Sequence, residues 1–249
     1  MVFNLLKMKM LNYQQSQTNE FGQKIGKAVD LRSPKKIQVN ILMGRCVRLI
    51  PMHNDILHRT SFSSLWHAMK SEPSPACWTY LPYSVFSFQV QLEQALKSNF
   101  GFVGAQHFLI EIDQKILGWI ALMNERAAHG VIEIGNVYFS HRMKRSTAAT
   151  ETIYLLLQTC FEQGFRRVEW KCDDLNEPSR QAALRFGFQF EGIFRQDRIS
   201  KGNNRNTAWY SMLDEEWQSI QKAYEDWLSP ENFDEKGQQK NPLLITTDL

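Results

Sequence analysis

The stretch VIEIGNVYFSHRMKRSTAATETIYLLLQTCFEQGFRRVEWKCDDLNEPSRQAALRFGFQFEG, from Val131 to Gly192, decides the fold. It reads as strand, loop, helix, strand, short helix, strand. Ile132, Ile134, Val137, Tyr138 and Phe139 form a β-rich apolar run without proline, the pattern of a buried strand. Ser140 to Ser146 is polar and basic, and Ser146 or Thr147 supplies a cap for the next helix. Ala148, Ile153, Leu156, Leu157 and Cys160 then recur at helical spacing over Thr147 to Gln163, until Gly164 stops the helix. In Phe165 to Cys172, Val168 and Trp170 share one face of a strand, and Arg167, Glu169 and Lys171 share the other. Asn176 or Ser179 begins a second helix through Ala182, Ala183 and Leu184, and Gly187 ends it.

A strand that feeds directly into a helix leaves unpaired N–H groups and the positive end of the helix dipole at the strand's C-terminal edge. Lys144 and Arg145 stand beside that junction. The small residues Ser146, Thr147, Ala148 and Ala149 let a ligand approach the backbone. These are the parts of a pyrophosphate seat, and equally those of an ordinary capped helix behind a basic turn.

The order of the motifs separates the two. The segment resembles the GNAT acyl-CoA N-acetyltransferases, most closely the branch related to the ribosomal-protein N-terminal acetyltransferases. Their loop pattern is Q/R-x-x-G-x-G/A, and Lys144, Thr147 and Ala149 occupy its defined positions, with lysine for Gln/Arg and threonine for the first glycine. The Asn-x-x-Ser of Asn176 to Ser179 and GFQFEGIFRQ from Gly187 to Gln196 resemble that branch. So do WTYLPY at Trp78 to Tyr83, GWIALM at Gly118 to Met123 and GNNRNTAWYSML at Gly202 to Leu213. The resemblance spans about Phe21 to Trp227. It implies an α/β GNAT fold: a mixed, mostly antiparallel sheet, flanked by helices and splayed between its two central strands.

Composition agrees with a soluble globular protein. The chain has 249 residues, is 43% hydrophobic and 22% charged, and carries a net charge of +3, too little to argue for a nucleic-acid partner. Cys46, Cys77, Cys160 and Cys172 lack paired C-x-x-C spacing, so no metal is expected. Buried reduced thiols suit a cytoplasmic location. No apolar run reaches the length of a membrane span, and no secretory core stands out, since Lys7 and Lys9 interrupt the first residues. Residues 1–20 read as a disordered lead, 21–228 as one domain and 229–249 as a polar tail.

Along the rest of the chain, Arg45 to Ile50 reads as the first strand, and a helix runs from Asn54 or Asp55 to about Lys70. A second helix covers Ser87 to Asn99. Phe108 to Ile112 and Ile116 to Met123 pair around Asp113 to Lys115. Ile193 to Ile199 and Arg205 to Leu213 form a terminal pair, and Asp214 caps a last helix. Trp78, Tyr80 and Tyr83 either cap the core or, as the resemblance implies, form a wall of an acceptor pocket.

The resemblance implies acetyl transfer from acetyl-CoA, as co-substrate, to a primary amine such as a protein N-terminus. Val137, Tyr138 and Phe139 would hold the pantetheine arm and supply an oxyanion donor, with Lys144 to Ala149 on the phosphates. Asn176 either touches the pantetheine or merely caps its helix. Ser179 matches the branch's serine, a proton donor to the departing thiolate, and the tyrosine of other superfamily members is replaced here by Ala183 and Leu184. Glu133 is a candidate base, or a solvated strand carboxylate. Glu191 and Asp197 are further acids, with Arg198 where related enzymes carry an acidic residue. None of the histidines weighed (His53, His58, His67, His129, His141) is given a role. A small-molecule amine or aminoacyl adduct, or acyl-CoA binding without turnover, stays open, as does a monomer or homodimer.

Overall fold

In the computed structural model, residues 16–29, 40–52 and 62–245 are described. Its strands are β1 (Ser16–Thr18), β2 (Lys24–Gly26), β3 (Leu42–Met43), β4 (Arg48–Pro51), β5 (Gln106–Ile112), β6 (Lys115–Arg126), β7 (Val131–Phe139), β8 (Arg167–Asp173), β9 (Gln189–Ser200) and β10 (Asn203–Leu213). Its α-helices are α1 (Ser63–Lys70), α2 (Gln89–Lys97), α3 (Thr147–Glu162), α4 (Glu177–Arg185) and α5 (Asp214–Leu228). β1 and β2 make a separate ribbon; the others form one sheet in the order β3-β4-β5-β6-β7-β8-β10-β9. Neighbours run antiparallel except β7 and β8, which are parallel and joined through α3. The expected mixed α/β sheet is therefore the observed one.

Strand alternation sorts the side chains into two layers. On one face Ile132, Ile134, Val168 and Trp170 pack with Ile153, Leu156 and Leu157 of α3 and with Ile220 and Tyr224 of α5. On the other, Leu109, Trp119 and Tyr138 meet Leu65 and Met69 of α1 and Leu92 and Leu96 of α2. Leu65, Leu92 and Leu96 are almost wholly buried, each contributing about 1.5–3 kcal/mol of apolar transfer.

β7 and β8 pair at Val131–Arg167, Ile132–Val168 and Glu133–Glu169, and there the pairing ends. The remaining residues of β7, Ile134 to Phe139, and of β8, Trp170 to Asp173, diverge. A bulge in β7 accompanies the divergence. Trp119 pairs Tyr138 and Ala121 pairs Gly135, so Asn136 and Val137 together oppose Ile120. Asn136 takes the left-handed conformation that such a bulge requires, φ 45°.

Two sequence expectations change, and a third is seen only in part. The helix expected from Asn54 is seen as Ser63–Lys70, its earlier part lying outside the described residues, as do residues 1–15 of the expected lead. Asp214 is the first residue of α5 rather than its cap, and Glu216 Oε2 accepts from the Leu213 N–H at 2.7 Å. The segment read as a tail folds back: Trp227 Nε1 donates to Gln239, Asn232 and Leu243 are buried, and Ile245 sits against Gly187. Polar composition concealed this return because its anchors are single residues rather than a periodic face.

Candidate active site

At the α3 junction, Ser146 is the N-cap, its Oγ accepting from the Ala149 N–H at 3.2 Å. The first-turn amides of Thr147 and Ala148 precede any carbonyl the helix offers them. Ser140 closes the preceding loop, its carbonyl accepting from Met143 and Lys144. Its buried hydroxyl has no hydrogen-bond partner. Lys144 and Arg145 are exposed, and Arg145 adopts φ 61°. Glu72 braces the loop from behind: its Oε1 accepts from the Tyr138 hydroxyl and the His141 N–H, both at 2.9 Å, and its Oε2 lies 3.8 Å from Lys144 Nζ. The Ser140 N–H bonds back to Leu117 on β6, so by alternation the Phe139 amide turns to the opposite edge, into the gap left by β8. An orphan hydroxyl, a gap-facing amide and free first-turn amides suit a long phosphorylated thioester.

The two faces of the gap differ. On the helix face, Trp170 Nε1 donates to Ser179 Oγ at 3.0 Å, and the serine O–H remains a donor, turned toward the Cys172 sulfur. Asn176 is the N-cap of α4, its Oδ1 accepting from the Ser179 N–H at 3.3 Å. On the other face lies Glu133, 8% exposed at its side chain. Its Oε2 accepts from Asn124 at 2.8 Å and pairs with Lys171 Nζ at 2.9 Å, while Oε1 takes no hydrogen bond from the described residues. Gly135 keeps that oxygen open, because a Cβ there would stand 3.1 Å from it. Trp170 and Lys171 alternate across β8, so Ser179 and Glu133 flank the gap from opposite sides.

Beyond Glu133 the same face continues as a charged cleft of about 530 Å³, lined by Arg126, Arg167, Glu169, Glu191, Phe194 and Trp209 among others. Its carboxylates are all paired. Burial pushes the Glu169 carboxyl up, but Lys171, Arg167 and Arg126 outweigh it and hold the group below the usual carboxylate range. Glu191, likewise raised by burial, is brought down by Arg167 and by the Ser211 hydroxyl. Asp197 is lowered by Thr207, which donates at 2.7 Å, and by Arg198. Neither Glu191 nor Asp197 is therefore an unengaged acid. Phe194 also borders a second cavity, about 730 Å³, along the β9–β10 hairpin.

The aromatic loop sits on this cleft face. Trp78 is buried and stacked on Tyr138, with centroids 5.1 Å apart. The Tyr83 hydroxyl donates to Asn136 Oδ1 and accepts from Trp119 Nε1. Tyr80 is half-buried, and its hydroxyl reaches the Leu175 carbonyl at 3.0 Å, while Lys201 Nζ donates to the Trp78 carbonyl. Trp78 and Tyr83 thus belong to the core layer, and Tyr80 bridges to the far side of the gap.

Sequence reasoning did not single out Lys171, Glu72 or His107. For Lys171 the signal was present, since alternation puts Arg167, Glu169 and Lys171 on one face. His107 is buried with Nδ1 toward Asn99 Oδ1 and Nε2 2.7 Å from Asn136 Nδ2; no pattern in its apolar surroundings marks it. Among the described residues no cluster of three or more His, Cys, Asp or Glu could hold a metal, and no helix is long and apolar enough to cross a membrane.

Residues 65–188 match the acetyltransferase (GNAT) family model. A GCN5-related N-acetyltransferase from Brucella melitensis is similar at 40% identity, covering 84% of this chain and 94% of its own, with a TM-score of 0.79. A protein from Chromobacterium violaceum described as a probable acetyltransferase of the GNAT family shares 36% identity over 76% of this chain and 100% of its own, TM-score 0.67. The Salmonella typhimurium acetyl transferase that modifies the N-terminal serine of ribosomal protein L7/L12 shares the fold at 15% identity, covering 70% of this chain and 99% of its own, TM-score 0.57. Among curated proteins no match is found.

Proposed function

The chain belongs to the GNAT acetyltransferase family, and from that premise we propose that it is an N-acetyltransferase that moves the acetyl group of acetyl-CoA to an α-amine, with a peptide N-terminus as acceptor. The observation that carries the reading is the end of β7–β8 pairing at Glu133–Glu169, which opens a gap with Ser179 on one face and Glu133 on the other.

Acetyl-CoA supplies an acyl group already activated as a thioester, so alignment supplies much of the rate. Thr147 to Ala149 and Lys144 hold its phosphates, and Val137 to Phe139 its pantetheine arm. The Phe139 amide, fixed in the strand, donates to the thioester oxygen as negative charge grows there. The amine enters from the cleft face, and Glu133 Oε1 takes its proton, directly or through one water. Ser179, its oxygen engaged by Trp170, gives its proton to the departing sulfur. Asn176 shapes the turn that carries Ser179. Tyr80 borders the acceptor, with Trp78 and Tyr83 backing it.

Charge and shape support an α-amine. Each cleft carboxylate is already paired with Lys171, Arg126 or Arg167, which leaves no free acidic surface for a polyamine. A peptide α-amine, with an ordinary pKa of about 7.7–8.0, arrives neutral far more often than a lysine side chain. The continuation of the cleft past Phe194 suits an extended acceptor. Thiol release from acetyl-CoA against peptides with free N-termini, blocked peptides carrying lysine, and polyamines is the test. Release with free N-termini is expected; release with polyamines alone would overturn the acceptor assignment.

A further inference from the structure

We propose that Lys171 is a positioning residue for the transfer: its ammonium, clamped between Glu133 and Glu169 over the Trp209 ring, fixes Glu133 Oε2 and so presents Oε1 to the acceptor amine. This rests on the N-acetyltransferase reading of the gap. Lys171 Nζ lies 2.9 Å from Glu133 Oε2, 2.9 Å from Glu169 Oε2 and 3.8 Å from the Trp209 ring centroid, with 12% of its side chain exposed. Two carboxylates and an aromatic face enclose it.

The division of cations gives the lysine its task. Glu169 holds Arg126 and Arg167 besides Lys171, so its charge is balanced without the lysine. Glu133 has Lys171 as its ion-pair partner, with Asn124 as a neutral second. The charged and titratable groups on this face are Arg126 of β6, His129 before β7, Arg167, Glu169 and Lys171 of β8, and Glu191 of β9. Without Lys171, Glu133 Oε2 would keep only the neutral Asn124 amide as a partner. Its carboxylate would also be free to rotate, and a base one ångström out of place costs rate.

The test compares wild type, Lys171→Met and Lys171→Arg in kcat and KM with acetyl-CoA and a free N-terminal peptide. Lys171→Met is expected to lower kcat at neutral pH about a hundredfold. The KM for acetyl-CoA stays within about twofold, because the lysine contacts no part of the cofactor seat. Lys171→Arg keeps the charge, with kcat lowered by about tenfold or less, since arginine does not reproduce the lysine's point contact. An active wild type with unchanged Lys171→Met kinetics overturns the proposal. So does an equal loss of kcat in both variants, with no rescue by arginine, the mark of a structural role. A wild type inactive on every amine overturns the acetyltransferase reading itself, and this inference with it.

Discussion

The Tyr83 hydroxyl donates to Asn136 Oδ1 at 2.7 Å, tying the aromatic loop to the one left-handed residue of the β7 bulge. The contact belongs to a chain of buried bonds: Trp119 to Tyr83, Tyr83 to Asn136, Asn136 to His107 and His107 to Asn99. Each donor meets an acceptor if His107 carries its proton on Nδ1, so the network holds the bulge, and with it the strand edge at the gap. Tyr83→Phe would leave Trp119 Nε1 and Asn136 Oδ1 unsatisfied. The expected loss is about 1–3 kcal/mol of stability, measured by urea unfolding, with a fall in kcat larger than any change in acetyl-CoA affinity.

The same network makes stability depend on pH. Burial pushes the His107 imidazole down to about 4, against an ordinary value of about 6.5. A group lowered in the fold binds its proton more readily when unfolded. Its contribution is complete above the unfolded value and is lost as pH falls from about 6.5 through about 4. The loss is on the order of 3 kcal/mol. Urea midpoints of wild type and His107→Gln at pH 7 and pH 4.5 check it, the variant showing the shallower fall.

At the α3 junction a charge reversal separates binding from folding. An acid at the first helical position favours the helix dipole, so Thr147→Glu keeps or raises thermal stability. It also places negative charge where the cofactor phosphates are proposed to lie. Calorimetry should show acetyl-CoA affinity reduced by about tenfold or more. Unchanged affinity would move the phosphate seat elsewhere.

Ser179→Ala removes the proposed proton donor and the acceptor of the Trp170 indole. Turnover is expected to fall by about ten- to a hundredfold, at a stability cost of about 1 kcal/mol and with the cofactor dissociation constant nearly intact. Equal turnover would remove Ser179 from the mechanism.

The central strands, α3 and their order were legible because their periodicities are long and uninterrupted. Ser146 as a cap and the polar face of Arg167, Glu169 and Lys171 were legible too. The β5–β6 and β9–β10 hairpins were legible as well, but the extent of β7–β8 pairing was not. The family resemblance implied a splay between the two central strands, but nothing in the local pattern says that β7 and β8 part after Glu133, and the accompanying bulge at Asn136 is braced by Tyr83 and His107, distant in sequence. Asn176 turned out to use its side chain as a helix cap, and Trp78 and Tyr83 to lie in the core layer, because aromatic density alone does not tell a wall from its backing.

The central claim is that the gap between β7 and β8 seats the acyl thioester. Amide hydrogen exchange with and without acetyl-CoA tests it most directly. Slowed exchange at the unpaired edge of Val137 to Phe139 and at Thr147 to Ala149, with little change along β3 to β5, is the predicted result. Protection that bypasses both segments while acetyl-CoA is bound would contradict the account.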